Sequence, residues 1–176
     1  MSKAVLISIR PKWVEKIASG DKTIEVRKTR PKLDTPFKCY IYCTKDGVAP
    51  GARKRQHGKV IGEFTCDRIY ELGTKARGGS YYVKSEDQPT TNFIARQSCL
   101  ALKDMHDYLR AQKGYGWHIT DLRIYDAPRE LSEFERPYEC DECDAKWATE
   151  CNACHEEGKI KRAPQSWCYV EEVEPR

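Results

Sequence analysis

Two groups of side chains in this 176-residue sequence have the residue types and spacing for chemistry. The first is Cys140, Cys143, Cys151 and Cys154, two Cys-x-x-Cys pairs with seven residues between them. A Cys-x-x-Cys turn lets two thiolates converge on one ion, and two such turns complete a tetrahedral four-thiolate zinc shell at about 2.3 Å per bond. Four thiolates fill that shell, so the chemistry is structural rather than catalytic; His155 replacing one thiolate is the alternative ligand set. The chain has nine cysteines, an odd number that suits reduced thiols with a metal better than a disulfide framework. Cys39, Cys43, Cys66, Cys99 and Cys168 then read as small core residues.

The second group is Gly20, Lys22, Glu25 and Arg27, spaced Gly-x-Lys-x-x-Glu-x-Arg. From Thr23 the period is two, so Ile24 and Val26 turn one way and Glu25 and Arg27 the other, with Lys22 at the mouth of the strand. An arginine fork grips a phosphate or base edge, a lysine supplies a point charge, and a carboxylate orients either cation or accepts a nucleobase amino proton. The plain alternative is a surface ion pair of Glu25 with Lys22 or Arg27, worth little. Secondary candidates are the basic loop Arg53, Lys54 and Arg55 with His57, suited to phosphate contact, and the pair Trp117 and His118. Alternation sets those two on opposite faces, and His118 is the favoured cleft residue. Tyr81 and Tyr82, beside two glycines, would suit an aromatic lid.

The elements that must position these groups can be read coarsely. "KAVLISI" is a short apolar run expected to form a buried strand, and "PKWVEKIAS" a helix opened by Pro11 and closed by Gly20. "FKCYIYC", "GKVIGEFTCDRIYEL", "GWHITDLRIYD" and "SWCYVEEV" are expected strands, with Gly62 marking a bulge in the second. "LKDMHDYLR" is expected to be a helix burying Leu102, Met105 and Leu109, and residues 73 to 97 mostly loop. The order of elements argues against a doubly wound sheet and for an α+β, mainly β fold, a small mixed barrel with two or three short helices.

Composition bounds the rest. Hydrophobic residues at 39% and charged residues at 33% fit a soluble domain, and no apolar run reaches the ~20 residues of a membrane helix. The first residues lack a secretory signal pattern, so a cytoplasmic location without membrane association is expected. Charge is uneven: residues 1 to 59 hold 15 Lys and Arg against 5 Asp and Glu, whereas residues 138 to 162 hold 4 against 7. The basic third suits a polyanion, and the acidic cysteine segment does not.

The Gly-x-Lys-x-x-Glu-x-Arg motif resembles the signature of the ASCH domain, a branch of the PUA-like superfamily. The stretches "GYGWHITDLRIYDAPRELSEF" and "RAPQSWCYVEE" resemble the later strands of bacterial and phage-type members. The resemblance implies a PUA-like barrel over residues 1–137 and 163–176, with residues 138–162 as a zinc-knuckle insertion. It also implies a cleft lined by the motif that handles RNA, a nucleotide or a modified nucleoside. Some relatives are small amidohydrolases that deacetylate N4-acetylcytidine with the motif lysine; by that likeness Lys22 would be catalytic, with Glu25 handling protons. Those enzymes carry threonine where this chain has Glu25, which favours binding over catalysis. A third reading takes the zinc insertion as a docking surface for a protein partner.

Overall fold

The structure is a computed structural model. It describes residues 2–45, 54, 56–74, 81–83, 89–110, 112–137 and 158–174, with only the backbone of 74 and 81–83. The chain divides into two compact units. The first comprises Met1–Pro11, Lys38–Glu63 and Arg123–Arg176, and the second Lys12–Phe37 and Phe64–Leu122.

The first unit is built on a five-stranded sheet in the order β8-β4-β3-β1-β9, from strands β1 (Lys3–Ile9), β3 (Phe37–Cys43), β4 (Lys59–Cys66), β8 (Thr120–Arg129) and β9 (Trp167–Glu171). β1 runs parallel to β3, with Val5 opposite Cys39 and Ile9 opposite Cys43. It runs antiparallel to β9, with Lys3 opposite Glu171 and Ile7 opposite Trp167. Ala4 through Ile7 and Ile9 are all buried, on both faces of β1, which is why the sequence there is a continuous apolar run and not an alternation. One face supplies Ala4 and Leu6 to a core with Tyr40, Tyr42, Val60, Phe134, Ile160 and Val170. Tyr40 meets Phe134 edge to face at 4.9 Å between ring centroids, and its hydroxyl accepts a 2.9 Å bond from the Val173 amide. Burial pushes the Tyr40 hydroxyl up to about 12, keeping it in the neutral form that packs here.

Gly62 is explained by close approach: a Cβ there would lie 2.5 Å from the Arg123 carbonyl oxygen on β8.

Just before the cysteine segment, a 3-10 turn at Leu131–Glu133 leads into Phe134. Ile160 N donates to Phe134 O at 2.9 Å, Arg136 N to Gly158 O at 2.8 Å, and Glu135 bridges Lys159 in antiparallel sense. Phe134 to Arg136 are therefore held beside Gly158 to Ile160, which fall within the expected insertion of residues 138–162. The four cysteines and His155 lie outside the described residues.

The second unit is a four-stranded sheet in the order β2-β7-β5-β6, from β2 (Ile24–Arg27), β5 (Ile69–Thr74), β6 (Tyr81–Val83) and β7 (Gly114–His118). The helices are α1 (Pro11–Ala18), α2 (Thr91–Gln97) and α3 (Leu102–Leu109). Ile24, Val26, Tyr70 and Leu72 on one sheet face cluster with Ile94 of α2 and Met105 and Leu109 of α3. Period-3.6 spacing placed Met105 and Leu109 correctly, but Leu102 is 48% exposed. It opens α3, where residues 101 to 104 are all exposed and burial begins at Met105.

The mainly β architecture with three short helices is as the sequence suggests, with corrections in detail. The expected long strand through Cys66 is two, β4 and β5, broken at Asp67 and Arg68, where the Arg68 carbonyl turns to accept from His118 N. "GWHITDLRIYD" is likewise two strands, β7 and β8, separated at Ile119 and followed by Asp121 at a φ of 48°. The stretch expected to be mostly loop contains β6 and α2. α2 is opened by Thr90, whose hydroxyl accepts from Phe93 N at 3.3 Å.

Candidate functional site

β2 follows a tight exit from α1. Gly20 takes a φ of 81°, its amide bonding back to Ile17 O at 3.0 Å, and Lys22 N returns to Lys16 O at 2.9 Å. Gly20 is thus a helix-stop glycine in the left-handed region, and it sets Lys22 at the head of the strand.

The side chains of Lys22, Glu25 and Arg27 form one ionic cluster. Lys22 Nζ lies 3.1 Å from Glu25 Oε2, and Arg27 reaches Glu25 Oε1 at 3.1 Å, so the two carboxylate oxygens are divided between two cations. Lys22 Nζ also donates to Ile24 O at 2.9 Å and to Ser98 O at 2.8 Å, and it stands 5.3 Å from the centroid of the Trp13 ring. Two backbone carbonyls accept from the Lys22 ammonium, and the Glu25 carboxylate and the Trp13 ring stand beside it as charge partners. The cluster is buried: Lys22 is 3%, Glu25 7% and Arg27 9% exposed. The expectation of a charged face open to a hollow is therefore corrected. Both faces of β2 are covered, and the charges are held by each other and by backbone carbonyls, not by solvent.

Register fixes what shares that face. Glu25 pairs with Trp117 and Arg27 with Tyr115 on β7, and Ile69 and Glu71 of β5 continue the row. Trp117 is fully buried and meets Phe37 edge to face at 5.8 Å. His118 instead pairs with Ile24 and so stands on the opposite face, with its Nδ1 2.7 Å from Asp67 Oδ1 and its ring beside Tyr70. Of the two, Trp117 and not His118 accompanies the motif.

A second set of contacts ties the motif to the end of α2. Thr23 N donates to Gln97 O at 2.9 Å, the Thr23 hydroxyl bonds Gln97 Oε1 at 2.5 Å, and Cys99 Sγ lies 3.3 Å from Asp21 O. Ser98, whose carbonyl holds Lys22, is fully buried. Ser98, Trp13 and Asp67 are participants that sequence reasoning missed. Only Trp13 left a trace, on the α1 face beside the motif, because the other two meet their partners through tertiary contacts.

Of the basic loop, Lys54 is described and exposed, its amide donating to His57 Nδ1 at 3.0 Å, while Arg53 and Arg55 lie outside the described residues. The side chains of Tyr81 and Tyr82 are likewise outside them. Cys39, Cys43 and Cys66 are buried, and Cys99 and Cys168 half-buried. Burial pushes the Cys66 thiol up to about 12, the property of an inert core cysteine. Among the described residues no group of His, Cys, Asp or Glu is arranged to hold a metal ion, and no helix is long and apolar enough to cross a membrane.

No protein-family model and no curated protein matches the sequence. Solved structures do match in fold. The ASCH protein of Zymomonas mobilis aligns with a TM-score of 0.57 at 19% identity, covering 96% of this chain and 88% of that one. Its tyrosine-to-phenylalanine variant aligns with a TM-score of 0.57 at 19% identity, over 97% of this chain and 92% of that one. Its serine-to-alanine variant gives 0.57 at 18%, over 96% and 89%. The mainly β fold seen here is the ASCH fold, and the resemblance carried by the Gly20 to Arg27 motif holds at that level over nearly the whole chain.

Proposed function

We propose that the protein binds RNA or a nucleotide through Lys22, Glu25 and Arg27, with structural zinc in the cysteine insertion. The observation that carries the first part is the division of the Glu25 carboxylate between Lys22 and Arg27 at 3.1 Å each. The pairing holds the Arg27 fork and the Glu25 carboxylate in place before any ligand arrives, and because the three side chains are buried a ligand reaches them by displacing the groups that cover them. The basic first third of the chain, with Lys54 and the loop around it, supplies phosphate contacts that strengthen and steer without reading sequence. His118, on the other face beside Asp67, would serve as an outlying phosphate contact.

The same geometry weighs against catalysis by Lys22. A nucleophilic amine must present a lone pair to its substrate, whereas Lys22 Nζ donates to Ile24 O and Ser98 O and is held beside the Glu25 carboxylate. Lys22 is better suited to hold Glu25 and to pin the end of α2. The test is to incubate the protein with a panel of RNAs and with N4-acetylcytidine, reading both retention and product. Retention that falls at least tenfold in Arg27→Gln, with no product, is the expected result. Product formed by wild type and lost in Lys22→Ala would replace binding with amidohydrolysis.

For zinc, the supporting observation is the pairing of Glu135 with Lys159 and of Arg136 N with Gly158 O, which returns the chain to its starting point around the segment holding Cys140, Cys143, Cys151 and Cys154. Such a closed loop suits two knuckles converging on one ion, which would supply stability that so small a segment lacks by itself. Metal analysis should return one zinc per chain, falling to none in a Cys140→Ser, Cys143→Ser variant. The protein partner considered for this insertion would then depend on metal.

A further inference from the structure

The first unit contains a groove of about 610 Å³ lined by Lys3, Arg136, Pro137, Trp167, Cys168 and Tyr169. Trp167 and Tyr169 are two apart on β9 and so share a face of that strand, their rings packed edge to face at 5.4 Å and 79°. Both are half-buried, whereas Lys3 and Arg136 at the rim are exposed. Arg136 also lies near enough to Cys168 for its charge to act on the thiol, whose ionisation burial nevertheless makes harder. None of these residues belongs to the motif.

We infer that this groove is a second nucleotide-binding subsite, in which a base packs on the Trp167–Tyr169 pair and its phosphate is taken by Arg136 and Lys3. The size is right for one nucleotide, within the range of roughly 300–1,000 Å³ usual for small-ligand clefts. Two fixed aromatic rings offer a stacking surface that any base can use, and a guanidinium beside them takes a phosphate on its fork. Lys3 faces Glu171 across the β1 and β9 pair, so one carboxylate borders the cationic rim. An acidic peptide would find the cations but leave the aromatic pair unused, so single-stranded nucleic acid is the fitting occupant. The inference shares its ligand class with the proposed function but rests on different residues.

The test is fluorescence anisotropy of a labelled oligouridylate on the full chain, across a salt series, with Arg136→Gln, Trp167→Ala and Arg27→Gln compared with wild type. Arg136→Gln should reduce the slope of log affinity against log salt by about 0.7, the share of one single-strand phosphate contact. Trp167→Ala should weaken binding by roughly tenfold, as loss of a stacked base does. Should that variant not fold, uridine monophosphate quenching of tryptophan fluorescence, present in wild type and lost in Trp167→Phe, replaces it. Groove variants that bind like wild type while Arg27→Gln fails would overturn the second subsite and leave the motif reading intact. Loss in the groove variants with Arg27→Gln unaffected would support the subsite and sink the motif reading. Absence of oligouridylate binding by wild type, or equal displacement by polyglutamate, would overturn the subsite.

Discussion

Replacing Glu25 with glutamine should be among the most destabilising polar substitutions in the protein. The side chain keeps its size and loses only its charge, leaving Lys22 at 3% and Arg27 at 9% exposure without the carboxylate they share. Removing one partner of a buried ion pair costs about 3–5 kcal/mol, because the desolvation of the remaining charge is no longer offset. For a chain of this length that corresponds to a fall of roughly 10 °C in melting temperature. A double substitution, Lys22→Met with Glu25→Gln, should recover part of the loss, since it removes one of the two stranded cations along with the carboxylate. The measurement is a double-mutant cycle by urea unfolding. A Glu25→Gln protein within about 1 kcal/mol of wild type would show that the cluster is solvated and the pairing incidental.

Trp117→Ala should be of similar size for a different reason. Trp117 is fully buried, pairs with Glu25 across β2 and β7, and packs edge to face on Phe37. Truncating a buried tryptophan costs about 3–5 kcal/mol in lost transfer energy and cavity. Trp117→Phe should cost distinctly less, because the ring that meets Phe37 is retained. Midpoints of urea unfolding would separate the two variants. Equal midpoints for alanine and wild type would mean that the neighbouring side chains close over the space.

The fold was largely legible wherever one local signal decided an element. β1 announced itself by a buried apolar run, α1 by Pro11 and Gly20, and β2 by the change of period at Thr23. Elements fixed by contacts distant in sequence were not legible. α2 offers Phe93, Ile94 and Ala95 in succession rather than a spaced stripe, and only Ile94 and Ala95 are buried, so its pattern gives no period. The break between β4 and β5 depends on His118 reaching the Arg68 carbonyl, 50 residues along the chain. The site followed the same rule. Parity along β2 separated Glu25 and Arg27 from Ile24 and Val26, as the register bears out. Parity could not say whether the charged side met water or protein. That was settled by Ser98, Trp13 and Trp117, and two of these belong to elements far from the motif in the chain.

The chain on either side of residues 138–157 is anchored at one place, where Phe134 to Arg136 pair with Gly158 to Ile160. Arg136 and Gly158 are joined by a hydrogen bond of 2.8 Å, and Phe134 and Ile160 on either side are both buried, so this junction belongs to the core of the first unit. A change in chain length between Arg136 and Gly158 therefore leaves the hydrogen bonds and buried side chains of that junction as they are.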